Sequence, residues 1–120
     1  MRTFICQSTD EVLLQNFKVV SDRIHDMWFS IDALTFKPEA AYMRLPLSDR
    51  NGGPIQLVLE CSGIQDVFVD DTEIVGSYDI NYLSLNQDLF ELTVICNIPI
   101  KISIRLRDIW ELSLSNATDE

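Results

Sequence analysis

Apolar residues hold the even positions Phe90, Leu92, Val94 and Cys96, and again Ile100, Ile102, Ile104 and Leu106. The odd positions Glu91, Thr93, Lys101, Ser103, Arg105 and Arg107 are polar. A period of two marks strands buried on one face. For both rows to face one core in an antiparallel pair, the paired residue numbers must add to an even number, because a one-residue slip turns every side chain over. A sum of 196 predicts Phe90 opposite Leu106, Leu92 opposite Ile104 and Glu91 opposite Arg105, with Asn97-Ile98-Pro99 as the turn. The charged pair adds about 0.2 to 1 kcal/mol to that register. Trp110, Leu112 and Leu114 continue the even row beyond Asp108. Because so long a strand is far above the usual length, the pattern predicts a break at Arg107-Asp108.

Upstream, Ile55, Leu57, Leu59 and Cys61 alternate with Gln56, Val58, Glu60 and Ser62, and Gly63 is expected to end that strand. Aromatic and branched residues from Met27 to Phe36 and from Ala41 to Leu47, separated by Lys37-Pro38-Glu39, form a candidate hairpin. Asp49-Arg50-Asn51-Gly52-Gly53-Pro54 is a loop, since Asn and Gly tolerate positive φ and Pro opens the next element. Nearer the N-terminus, Leu13, Phe17, Val20 and Ile24 recur at helical spacing. Ser8 with Glu11 three residues later reads as a capping box, so the helix is expected from about Thr9 to Arg23. The sum is a mainly β fold: an antiparallel β-sandwich or strongly curved sheet of about seven strands with one N-terminal helix. Residues 1–120 are expected to form a single domain with a tail fraying from about Asn116 to Glu120.

Composition agrees with a globular chain, with 47% hydrophobic and 23% charged residues. No apolar run reaches membrane-spanning length, and the segment Phe4-Ile5-Cys6 is too short for a secretory h-region. Cys6, Cys61 and Cys96 are odd in number and widely spaced, which fits neither a disulfide framework nor a zinc site. A reducing, cytoplasmic location is the simplest expectation.

Charge changes the picture more. Between Asn51 and Ile100 there is no lysine or arginine, yet there are eight acids: Glu60, Asp66, Asp70, Asp71, Glu73, Asp79, Asp88 and Glu91. They account for eight of the ten net negative charges. Such a block attracts basic partners and opposes nucleic-acid binding. Parity places Glu60 on an outward row and Glu91 across from Arg105, and Glu91 with Asp88 is neutralised by the basic row Lys101, Arg105 and Arg107, which leaves Asp66, Asp70, Asp71, Glu73 and Asp79 as the candidate partner-binding residues. The same acids offer hard oxygen ligands to Ca²⁺ or Mg²⁺, although their spacing misses the EF-hand pattern and a solvated acidic turn is the simpler reading. His25-Asp26 is a possible polar site able to act as a general base, or equally a hydrogen-bonded step between helix and strand. Cys61 and Cys96 lie on apolar rows, where burial disfavours the thiolate. No nucleophile elbow, phosphate-binding loop or dinucleotide fingerprint is present.

Ile24-His25-Asp26-Met27, the alternating strands, the Ile55 to Ile64 strand ending in Ser-Gly-Ile, and the final β pair resemble small bacterial mainly-β proteins of unknown function. In size and charge the chain is similar to immunity proteins of contact-dependent toxin systems. That resemblance implies an acidic surface neutralising a basic toxin, a role that would fall on Asp66, Asp70, Asp71 and Glu73. The expectation is therefore a non-enzymatic protein that binds a basic protein partner, without cofactor, metal, nucleic acid or membrane. Homo-oligomers through an edge strand are compatible with it. The alternatives are a Ca²⁺-, Mg²⁺- or small-ligand-binding β domain and an enzyme using His25 and Asp26.

Overall fold

The computed structural model describes residues 3–71, 74–97 and 100–117. Eight strands and one helix follow in the order β1 (Thr3–Gln7), α1 (Leu13–Arg23), β2 (Trp28–Ser30), β3 (Thr35–Lys37), β4 (Tyr42–Ser48), β5 (Ile55–Asp71), β6 (Ser77–Asn86), β7 (Glu91–Cys96) and β8 (Ile100–Asn116). All pairings are antiparallel. The sequence of neighbours β8-β5-β4-β2-β6-β7 returns to β8, so six strands close into a barrel. The expected sandwich or open curved sheet is thus corrected, and the strand count rises from about seven to eight. Closure removes the exposed edges that an open sheet would carry. The narrowest seam is between β2 and β4, which share one residue pair, Trp28 with Ser48.

The predicted register of the last pair is the observed one: Glu91 lies opposite Arg105, Leu92 opposite Ile104 and Val94 opposite Ile102. Phe90 stands just outside the strand, and its carbonyl accepts the Leu106 N–H at 2.7 Å. Ile98 and Pro99 of the expected turn lie outside the described residues.

The expected break at Arg107-Asp108 is instead a bulge within one 17-residue strand. Opposite it, β5 also runs 17 residues and passes through Gly63 rather than ending there. Ser62 pairs with Glu111 and Ile64 with Leu106, so Arg107 to Trp110 stand against Gly63 alone. A bulge bends a strand and strengthens its twist, which lets long strands wrap a small barrel instead of stopping. Gly63 has φ +74°, and a Cβ there would lie 2.1 Å from the Ile109 carbonyl oxygen. Its missing side chain is what admits the bulge. The bend also divides one edge of β8 between two partners, with Lys101 to Arg105 taken by β7 and Glu111 to Ser115 taken by β1. Asn116, placed in the expected frayed tail, is paired with Leu57.

The helix begins at Leu13, four residues later than expected. Ser8 is not a cap: its hydroxyl accepts the Trp110 N–H and its own N–H donates to the Trp110 carbonyl, both at 3.0 Å. Asp10 accepts the Gln7 N–H at 2.8 Å. These polar groups tie the chain to the β8 bulge and to β1 before the helix can start. Phe17, Val20 and Ile24 are buried as their stripe requires. The helix packs on β1 and on the part of β6 beyond β2, where the Ser21 hydroxyl accepts the Leu83 N–H at 3.0 Å. That contact satisfies a strand donor with no ladder partner there. The core inside the wall includes Leu45, Leu59, Tyr78, Ile80, Leu92, Ile104 and Leu112, all fully buried. No helix is long and apolar enough to cross a membrane among the described residues.

Candidate functional site

The acidic stretch is split between the outer wall and one end of the barrel. On β5, Asp66, Phe68 and Asp70 share one face by alternation. Across β8 they meet Arg105, Ser103 and Lys101 in turn, and β7 continues these rows with Glu91, Thr93 and Ile95. Arg105 is therefore flanked by Asp66 and Glu91, and Lys101 stands beside Asp70. Cross-strand opposite charges of this kind each contribute about 0.2 to 1 kcal/mol. Asp66 also accepts the Val67 N–H at 2.9 Å.

Asp71 has turned toward the barrel end. It accepts the Tyr78 hydroxyl and, at 3.1 Å, the Ile74 N–H. The same tyrosine oxygen accepts the Val75 and Gly76 N–H groups at 2.9 and 3.1 Å. Tyr78 is fully buried, so this network closes one end of the core with its polar groups satisfied. Asp79, half-buried, accepts the Asn97 side-chain amide at 2.7 Å and ties β6 to the segment after β7. Glu73 lies outside the described residues. Among the described residues, no group of three or more His, Cys, Asp or Glu side chains is arranged to hold a metal ion.

The sequence reading takes Val67, Phe68 and Val69 as a short strand and gives the apolar residues of this end no binding role. Phe68 is 58% exposed, Ile74 81% and Val75 57%. The signal was available, because Phe68 has the parity of Asp66 and Asp70. Exposed large apolar side chains among acids have the makeup of a contact surface more than of a solvated turn.

His25-Asp26 is a polar step between α1 and β2. Asp26 takes a left-handed φ of +66°, and its N–H donates to the Ile80 carbonyl at 2.8 Å. The His25 Nδ1 lies 2.6 Å from the Asn81 carbonyl oxygen, and its Nε2 lies 3.4 Å from the Asp26 carboxylate. Both side chains are more than half exposed. The geometry anchors the helix exit to β6. Trp110 is buried, and Trp28 is half-buried on the outer row of β2.

Burial pushes the Cys6 thiol up to about 11, helped by the charge of Asp10. Burial pushes Cys61 up to about 12, with Cys6 and Glu111 adding to it, and Cys96 up to about 12, with Asp79 adding to it. Cys6 and Cys61 flank Leu112 on opposite edges of β8. Two strand spacings, about 9.5 Å, separate their backbones, beyond the ~7 Å limit for a disulfide.

A cleft of about 790 Å³ lies where the β6–β7 turn meets the β8 bulge and is lined by Asp88, Phe90, Glu91, Arg105, Arg107 and Asp108 among others. Phe90 holds a φ of +51°, a conformation bulky residues rarely adopt.

No protein-family model matches the chain, and no curated protein matches it. It is weakly similar to a solved structure described as that of an uncharacterized protein from Neisseria gonorrhoeae, with 18% sequence identity and a TM-score of 0.45 over 72% of this chain and 90% of that one.

Proposed function

We propose that the protein is a non-catalytic binding module that docks a basic protein partner on the outer wall and tip formed by β5 and the start of β6. The observation that carries this reading is the set of exposed apolar residues, Phe68, Ile74 and Val75, inside the acidic stretch. Apolar anchors supply affinity at the centre of an interface, and surrounding charge supplies rate and selectivity. The net charge of −10 adds long-range attraction for a cationic surface. Asp66 and Asp70 share the outer face of β5 with Phe68, beside Arg105 and Lys101, while Asp71 and Asp79 hold Tyr78 and Asn97. Neutralisation of a basic toxin, which the sequence resemblance implies, is one instance of this activity.

The test uses the full chain as bait, with captured proteins compared at low and high salt. Capture of basic proteins should fall steeply with salt, and again in Phe68→Ser and in the Asp66→Asn, Asp70→Asn double variant. Asp71 is left intact because its loss would disturb the barrel end. Capture that is indifferent to salt and to all three substitutions rejects the proposal.

A further inference from the structure

A second cleft, of about 310 Å³, lies between β2, β4, the β4–β5 turn and the first residue of β6. None of its eleven lining residues carries a charge, in a chain that is 23% charged. By contrast, five of the nine residues lining the cleft at the β8 bulge are charged. A ligand of the uncharged cleft gains nothing from the protein's acidity and must be recognised by shape, apolar contact and neutral hydrogen bonds.

The lining supplies those three things. Phe29 faces the core, so its neighbours Trp28 and Ser30 take the outer row, and Trp28 remains half-buried there. Pro46 and Ile55 extend the apolar wall, with Ile55 46% exposed. The Ser77 hydroxyl donates to the Asn51 Oδ1 at 2.7 Å, which orients the amide. Among the described residues, no acceptor engages the Asn51 Nδ2 group or the Trp28 indole N–H, so both donors are available. Of the charges flanking the cleft, Asp49 pairs with Arg50 at 3.7 Å, and Asp79, opposite Trp28 in the ladder, holds Asn97. An apolar platform with a few convergent polar groups, at the lower end of ligand-pocket size, describes a small-molecule site.

We propose that this cleft binds a neutral saccharide. A sugar ring presents C–H groups on one face, suited to the Trp28 indole, and hydroxyls around its rim, suited to Asn51 and Ser30. It carries no charge to be repelled by the acidic surface. The cleft adjoins that tip but shares no lining residue with Phe68, Ile74 or Val75, so saccharide binding is tested independently of the proposed protein partner.

The experiment titrates the full ¹⁵N-labelled chain with a panel of neutral hexose and N-acetylhexosamine disaccharides. Glucuronate serves as the charged control and a proline-rich peptide as the rival neutral occupant. Saturable shifts are expected at the Trp28 indole N–H and the Asn51, Gly52 and Gly53 amides, with the buried Trp110 indole unmoved. Dissociation constants should lie in the millimolar range, as for small ligands on shallow sites, and weaken at least about tenfold in Trp28→Ala and in Asn51→Ala. Asn51 sits in an exposed turn, so its variant remains informative if Trp28→Ala does not fold. The proposal is overturned if no panel member shifts these signals, if both folded variants bind unchanged, or if the peptide binds and the saccharides do not.

Discussion

Gly63 and Gly52 share a φ of +74° but differ in what a side chain would meet, which separates backbone preference from close approach in one experiment. At Gly52 a Cβ would find nothing within 4 Å. Ala there carries only the left-handed penalty of about 1 to 2 kcal/mol, partly offset by about 0.4 to 1 kcal/mol from a less flexible unfolded chain. At Gly63 the same Cβ would sit 2.1 Å from the Ile109 carbonyl oxygen and 2.7 Å from the Trp110 Cα. Both are backbone atoms, so the strands must part, and overpacking of this kind costs about 1 to 3 kcal/mol more. Gly63→Ala should therefore lose about 1 to 4.5 kcal/mol, against at most about 1.5 for Gly52→Ala. A chain of this size has a total stability of about 6 to 18 kcal/mol, and each kcal/mol moves Tm by about 3 to 6 °C. Gly63→Ala should then melt about 3 to 25 °C lower. Urea unfolding of both variants beside the parent gives the free energies, and equal losses at the two positions would refute the argument that the bulge demands a bare backbone.

Tyr78→Phe removes the hydroxyl that satisfies the Val75 and Gly76 N–H groups and Asp71, and should cost about 1 to 3 kcal/mol in chemical denaturation. The three cysteines should be silent toward a thiol reagent at pH 8 in the folded protein and react at once in urea. Their folded pKa values lie above the ordinary thiol value of 9.0, so the unfolded chain releases its protons first. Their stabilising contribution is thus whole below about pH 9 and declines between pH 9 and 12, measurable as a falling Tm across that window. Arg105→Gln, which removes the positive charge placed across the ladder from both Asp66 and Glu91, should destabilise more than Lys101→Gln, and the difference should shrink as salt rises.

Side-chain parity made the β7–β8 register legible, because two strands with one buried face each admit only even sums. The helical stripe of Phe17, Val20 and Ile24 was equally plain. Barrel closure was not, since it depends on pairings between distant segments that local periodicity cannot see: Leu59 with Leu114, and Trp28 with Ser48. Ser8 illustrates the same limit at one residue, where a good capping sequence is overridden by Trp110. At the candidate site, local charge identified Asp66 and Asp70 but not that Arg105 and Lys101 lie beside them across the sheet. Phe68 was readable from alternation; the Trp28 cleft was not, because its walls come from four separate stretches of chain.

One strand, β8, serves as partner to β1, β5 and β7 together. On the ribosome all three are made before it, so the nascent chain holds them with unsatisfied edges until that strand emerges. Folding is then governed by the arrival of one late element and by contacts spanning nearly the whole chain, the regime of slow, high-contact-order folding. Through that interval the surplus of acids has a second use, since like charge on waiting chains keeps their open edges from finding one another.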